Sequence, residues 1–205
     1  MKFKVNILTR DSTSESKAVA PPVSDADLVA RIRAGEDGAF SRLVEQHWER
    51  IFRLVLGIVG DWHLSEDVSQ EVFLQAFRKL DGFDGRSTLM TWLYRVAINA
   101  SLKARARKSR TSCLPLVRSF DRQNVEPPVG EAFEKRELTE KLLRCLSPSM
   151  RALVLLREWE GLPYEEIASI LKISRGAVEQ RLHRALVELR RVWKPVVKEE
   201  WLDGL

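Results

Sequence analysis

Between Leu162 and Arg191 the chain spells a helix, a tight break and a second, basic helix, and few folds accommodate that order. Pro163 sits where a first helical turn tolerates proline, and Ile167, Ala168, Ile170 and Leu171 then supply an apolar face. Lys172-Ile173-Ser174 breaks the pattern, and Ser174 is a good N-cap for the next helix. That helix carries Val178, Leu182, Leu186 and Leu189 at helical spacing, which predicts a buried stripe. Arg175, Glu179, Gln180, Arg181, His183 and Arg184 fall on its other face. Small Ala168 lets the two helices cross closely, and Ile173 plugs the turn. A helix-turn-helix satisfies these terms, and its partner is the major groove of duplex DNA. A helical hairpin with a merely solvated basic face satisfies them too, so the rest of the chain must decide.

At 205 residues the chain can hold one large domain or two small ones, each with a core. A formal charge of +5 permits an anionic partner without requiring one. Cys113 and Cys145 lie far apart and lack metal-ligand spacing, which argues for a reducing compartment and against a disulfide framework or zinc site. The start, Met1 to Arg10, has lysines but only a short apolar stretch broken by Asn6. No run approaches a membrane span, so a cytoplasmic protein without membrane insertion is expected.

Residues 1–23 are Ser-rich and end in Pro21-Pro22, which reads as a disordered leader. Ser24, with Asp27 three residues on, predicts the start of a helix closed by Gly35. A second helix is expected from Gly38 to Val59, ended by Gly60-Asp61, and a third from Leu64 to Leu80 with Val68, Val72, Phe73, Ala76 and Phe77 inside. Asp81-Gly82 opens a loop, and Ser87 is expected to cap a fourth helix reaching Lys108. Residues 111–130 have no sustained period and contain Pro115, Pro127 and Pro128, which predicts an interdomain linker. Helices follow from Glu131 to Leu146 and, with Ser147 as cap, from Pro148 to Glu160. The expected fold class is all-α: two small helical domains, 24–110 and 131–194, joined by a flexible linker, with a tail at 195–205.

The fourth helix is the second informative feature. From Arg86 to Arg110 there are seven basic residues and no acidic one, in a chain with 29 carboxylates. Trp92 and Tyr94 sit near its start, where aromatic faces could hold bases, although Leu89, Leu93, Val96, Ala97 and Ala100 already form a core stripe that one of Trp92 and Leu93 would join. Cations for phosphates and π surfaces for unstacked bases suit single-stranded or opening DNA. The third helix has the opposite character: Glu66, Asp67, Gln70 and Glu71 lie near its start. Complementation of the helix dipole explains carboxylates there as well as a docking face for a basic protein does.

Three stretches of this first half closely resemble region two of bacterial RNA polymerase sigma factors. They are Asp67-Val68-Ser69-Gln70-Glu71-Val72-Phe73, Phe83-Asp84-Gly85-Arg86, and Thr91-Trp92-Leu93-Tyr94-Arg95-Val96-Ala97-Ile98-Asn99. The run Leu162-Pro163-Tyr164-Glu165-Glu166-Ile167-Ala168 through Arg181-Leu182-His183-Arg184-Ala185 resembles region four. With only those regions and a short linker, the chain resembles the compact extracytoplasmic-function (ECF) group from about Ser24 to Trp193.

The resemblance implies a promoter-specificity subunit that binds core RNA polymerase, at its β′ coiled coil and β flap, and promoter DNA, both duplex and melted non-template strand. Asp67, Gln70 and Glu71 match the surface that docks on the β′ coiled coil. Phe83, Asp84, Gly85, Arg86, Ser87 and Thr88 match the loop that captures a base flipped from the minus-ten element, and Asn99 matches an asparagine facing that pocket. Trp92, Arg95, Lys103, Arg105 and Arg107 fall in the same minus-ten and bubble-edge surface. Arg175, Glu179, Gln180, Arg181 and Arg184 would meet the minus-thirty-five element. Glu179 stands where many relatives carry lysine, which suits a hydrogen bond from cytosine, and Lys172 replaces a glycine often seen in the turn. The linker is not markedly acidic. An anti-sigma partner and an envelope or environmental stress response are further implications of the resemblance.

Two other classes compete. A helix-turn-helix repressor or activator would need no polymerase, but it leaves the Arg86–Arg110 helix and the Asp67–Glu71 face without a purpose. An enzyme would need a nucleophile, a phosphate loop or metal spacing, and the three scattered histidines, His47, His63 and His183, supply none. His63 beside Asp61, Glu66 and Asp67 is the one local cluster, and exposed acids near a histidine are commonplace. No catalytic residue, metal or cofactor is expected.

Overall fold

The computed structural model describes residues 24–111 and 143–193, which form helices and turns without a strand. The expected leader (1–23), the linker beyond Thr111, the helix expected from Glu131 as far as residue 142, and the tail (195–205) lie outside the described residues, as does Cys113.

Helix α1 spans Asp25–Arg33. Its cap is the one its sequence predicts: Ser24 Oγ accepts from the Asp27 amide at 3.1 Å and donates to the Asp27 carboxylate at 2.7 Å. Helix α2 spans Ala39–Val59, and Gly60, at φ +70°, stops it by returning its amide to the Leu56 carbonyl. Helix α3 spans Trp62–Lys79 and starts before the expected Leu64. Asp61 closes nothing; it caps α3, accepting from the Leu64 amide at 2.9 Å. A 3-10 turn, Leu80–Gly82, precedes the loop to α4, which spans Leu89–Thr111. The cap of α4 is Thr88, not the expected Ser87, because the Thr88 hydroxyl is the one that accepts from the Thr91 amide, at 3.1 Å. Either hydroxyl could have served; burial of Leu89 at the first turn selects the later one.

Helices α2, α3 and α4 pack around Leu43, Ile51, Leu54, Ile58, Val72, Ala76, Leu93 and Ala97, with Leu28 and Val29 of α1 closing one end. His47 bonds Asp25 at 3.0 Å and ties α1 to α2. Buried Ser69 and Ser101 donate to the carbonyls four residues back, so small polar side chains occupy core positions without orphaned donors.

In the second half, α5 spans Pro148–Val154, capped by Ser147 with Pro148 at its first position as predicted. The regular helix expected to Glu160 is interrupted: Leu155–Trp159 form a single π turn. Helix α6 spans Tyr164–Leu171, with Pro163 just outside it as cap. Lys172 takes the left-handed turn position at φ +54°, and Ser174 caps α7, Arg175–Trp193, through the Ala177 amide at 3.2 Å. Helix α7 buries Val178, Leu182 and Ala185, whereas Leu186, expected inside, is 37% exposed. A step of seven residues from Val178 returns to nearly the same bearing at Ala185, and Leu186 is turned about 100° further round.

The two halves are in direct contact and their buried residues form one continuous cluster. Leu155, in the π turn, presses on Gly57 of α2, where a Cβ would lie 2.6 Å from Leu155 Cδ1. Buried Arg151 donates to the carbonyls of Leu146, Arg144 and, across the seam, Ile58, at 3.0, 3.1 and 3.2 Å.

Asp61 links local and tertiary structure. Burial pushes its carboxyl up, but the Lys108 ammonium at 2.7 Å and the Leu64 amide outweigh it and hold it below the usual carboxylate range. Stability from a depressed carboxyl is present above the ordinary range and is lost as pH falls through the lowered value. Asp61→Asn is therefore expected to lower stability at neutral pH by at most about 1 kcal/mol, given its partial exposure. In urea titrations the gap between variant and wild type should close as pH drops below the carboxylate range.

Candidate nucleic-acid interface

Helix α3 turns Val68, Ser69, Val72 and Ala76 inward, so Asp67, Gln70 and Glu71 are all exposed on one side. Glu71 accepts from the Gln75 amide nitrogen at 2.8 Å, a contact within the helix surface. Leu74 and Phe77, 51% and 55% exposed, continue the same side. Phe77 was expected in the core; it meets the edge of Phe40 at 4.9 Å and leaves half its surface outside. Seven residues separate it from Gln70, so helical geometry alone gives both the same bearing. An acidic rim against an apolar patch has the chemistry of a protein contact rather than a phosphate contact.

The loop after α3 is built by a residue that the sequence reading missed. Arg33, at the end of α1, donates to the carbonyls of Leu80, Asp81 and Phe83 and gathers the loop onto one guanidinium. The Phe83 ring sits 5.6 Å from Trp92 of α4. Asp84 accepts from the Arg86 amide and pairs with its side chain, both at 3.1 Å, across Gly85 at φ +71°. Arg86 is 89% exposed at its side chain, Ser87 is half-buried, and Thr88 is spent on the helix cap.

Beside this loop, α4 buries the row Leu89, Leu93, Ala97, Ser101 and presents the row Arg95, Asn99, Lys103, Arg107. Each row steps by four, so packing of the first sets the direction of the second. Asn99, Lys103 and Arg107 are exposed and Trp92 is half-buried. Tyr94, expected as a base-holding aromatic, is buried instead. Burial and the neighbouring Glu160 carboxylate push its hydroxyl well above the ordinary tyrosine range. Arg105 is spent on the Val59 carbonyl at 3.2 Å, and Arg95 donates to Ser169 of α6.

On α7 the sequence-derived face is presented as expected: Arg175, Glu179, Gln180, Arg181, His183 and Arg184 are exposed. Arg175 is held between Glu165 at 3.0 Å and Glu179 at 3.2 Å, so Glu179 has an arginine partner in this state. The Ile173 amide returns to the Ala168 carbonyl at 3.1 Å, which closes the turn between the two helices.

Two family models match these two halves: Sigma-70 region 2 over residues 43–111 and Sigma-70 region 4 over residues 136–189. The chain is 32% identical over 187 residues to the RNA polymerase sigma-H factor of Pseudomonas aeruginosa, covering 85% of this chain and 96% of that one. It is 31% identical over 189 residues to the ECF RNA polymerase sigma-E factor of Escherichia coli, covering 86% and 97%. The chain belongs to the sigma-70 family, in its ECF group. Two solved structures share its fold. One is CnrH in complex with the cytosolic domain of CnrY (TM-score 0.63, 24% identity, 83% of this chain and 97% of that one). The other is the sigma factor RpoE in complex with the anti-sigma factor NepR from Bartonella quintana (TM-score 0.61, 21% identity, 77% and 98%). The region-two match takes in α2 from Leu43 onward, α3 and α4, and the helix-turn-helix lies in region four.

Arg33 is expected to govern the shape of the region-two loop without carrying the fold. In Arg33→Ala, amide hydrogens at Phe83–Thr88 should exchange roughly tenfold faster, matching the loss of a charged hydrogen bond worth about 1.5 kcal/mol. Amides in the middle of α2 and α4 should keep wild-type protection in the same measurement.

Proposed function

We propose that this chain is a dissociable, non-catalytic promoter-specificity subunit of bacterial RNA polymerase. Family membership supports the class of activity. The single observation that carries the division of labour is the separation of charge within region two. The acidic, apolar-edged side of α3 and the basic row of α4 leave the same helical core on different faces, one suited to protein and one to nucleic acid.

In this reading Asp67, Gln70 and Glu71 dock on the β′ coiled coil of core polymerase, with Leu74 and Phe77 widening the contact. The loop Phe83–Thr88, backed by Trp92 and held by Arg33, receives a flipped minus-ten base, with Asn99 at its border. Unstacking that base costs a few kcal/mol, which a preformed pocket and adjacent phosphate contacts offset. Arg95, Lys103 and Arg107 follow the melted non-template strand, while Arg105 is a support, since its guanidinium is used on α2. Region four reads the minus-thirty-five duplex through Arg175, Glu179, Gln180, Arg181 and Arg184 and meets the β flap. The domains act as units 24–110 and 131–194, and the segment between them threads the polymerase cleft. The site of action is the cytoplasm. An anti-sigma factor regulates this chain, as the complex of RpoE with the anti-sigma factor NepR supports, and it serves an envelope or environmental stress response.

The decisive experiment mixes the purified chain with bacterial core RNA polymerase and a promoter-fragment library and maps transcript 5′ ends. Discrete starts sharing two spaced upstream motifs are expected. No transcripts, with tight autonomous binding to a duplex, would favour a stand-alone helix-turn-helix regulator. Charge reversal at Asp67 and Glu71 should abolish co-elution with core polymerase while the circular dichroism spectrum stays unchanged. Arg181→Ala or Arg184→Ala should each weaken upstream recognition by about 1–3 kcal/mol if the residue reads a base.

A further inference from the structure

A cavity of about 300 Å³ opens between α2 and α3, lined by Trp48, Glu49, Phe52, Trp62 and Glu66. Its lining is aromatic and acidic, with no basic residue. Trp48 and Phe52 lie one turn apart on α2 with their rings stacked at 6.2 Å. Phe52 in turn meets Trp62, the first residue of α3, edge to face at 4.8 Å. Buried Phe73 backs the Trp48 ring at 5.7 Å. The walls are therefore braced ring on ring before anything enters.

Two features of the lining are not explained by packing. Trp62 is 38% exposed at a helix start where Asp61 already supplies the cap, so neither the core nor the cap needs a large ring there. Glu49 and Glu66, one on each helix, are exposed, and among the described residues neither pairs with a basic side chain. Neither lies in the first turn of its helix, so the helix dipole accounts for neither.

Carboxylates at the rim of an aromatic well favour a cation, and the walls narrow its type. An ammonium or guanidinium brings N–H donors, for which ring faces are poor acceptors, and solvated carboxylates add little as ion-pair partners. A quaternary ammonium has no donor to satisfy, and the quadrupole of each ring attracts it, tryptophan most strongly. The volume is that of a small-ligand site.

We propose that this cavity binds a small quaternary ammonium compound. The cation lies against Trp48, Phe52 and Trp62, and Glu49 and Glu66 supply the charge that draws it in. Trp62, Glu66, Gln70 and Leu74 step by four along α3, so the ligand sits at the helix-start end of the acidic, apolar-edged side. The inference stands apart from the promoter-specificity reading, and failure of either leaves the other intact.

The test uses the full-length chain with its six tryptophans replaced by fluorotryptophan and read by fluorine NMR. Trp48→Phe and Trp62→Phe assign the two resonances. Choline is the probe, titrated at constant ionic strength. Its uncharged isostere, the alcohol with a tert-butyl group in place of trimethylammonium, is the control. Choline is expected to shift both resonances saturably and to bind roughly fivefold more tightly than the alcohol, the scale of a cation–π contribution at a partly desolvated site. The double variant Glu49→Gln, Glu66→Gln keeps the shape and removes the charge. It should weaken choline binding roughly threefold and leave the alcohol unchanged. Trp62→Leu, read at Trp48, should weaken choline binding at least as much. All three substituted positions are exposed, so the circular dichroism spectrum should not change.

Absence of a saturable shift at Trp48 and Trp62 overturns the site. Equal affinity for choline and the alcohol makes the cavity a merely apolar crevice and overturns the cation assignment. Equal or tighter binding of arginine amide makes it a pocket for protein side chains and overturns the choice of a quaternary ammonium. Saturation that survives both the double glutamine variant and Trp62→Leu places the ligand elsewhere and overturns the site as well.

Discussion

The rotational phase of α4 is the constraint on which the rest of the molecule depends. Leu89, Leu93, Ala97 and Ser101 step by four and are all buried against α2 and α3. Turning the helix by two residues, about 200°, would carry Arg95 and Asn99 to the bearing of Leu93 and Ala97 in the apolar core, where an unpaired guanidinium or amide costs several kcal/mol. Packing of the buried row therefore sets the direction of the polar row. The same logic applies on α7, where burial of Val178, Leu182 and Ala185 leaves the Arg181–Arg184 face outward.

Around that core, charge is sorted by helix. Glu66, Asp67 and Glu71 lie beyond the first turn of α3, where the helix dipole no longer accounts for them, while the long stretch from Arg86 to Arg110 contains no carboxylate. Some of the basic residues are consumed internally. Arg105 closes the end of α2, Lys108 pairs with Asp61 at the cap of α3, and Arg33 gathers the carbonyls of the region-two loop. A count of positive charges therefore overstates the surface open to phosphate, and the geometry is needed to separate cations that build the domain from those that face outward.

Much of the architecture was legible in the order of residues. Ser24, Ser147 and Ser174 each act as the helix cap that their positions predict, and Gly60 ends α2 in the left-handed conformation. The errors share one cause. Ser87 and Thr88 are adjacent hydroxyls of equal local merit, Leu186 is as apolar as Ala185, and Phe77 is as apolar as Phe73. In each case the competing residue won because of its direction toward a neighbour, a quantity that local preference does not contain. Arg33 and Glu160 were missed for a related reason: their partners lie 47 and 66 or more positions away in the chain.

By itself the sequence determined the helical class, the caps at Ser24, Ser147 and Ser174, the helix-turn-helix and the opposed charge of the two region-two surfaces, because periodicity and capping act over a few residues. Only the tertiary structure decided that the two halves share a core. Gly57 supplies the notch for Leu155, and the Glu160 carboxylate reaches Arg50 and Tyr94. A glycine within a helix and a glutamate before a turn carry no local signal of such roles. Their meaning comes from close approach between distant segments, and that depends on how apolar surfaces fit in three dimensions.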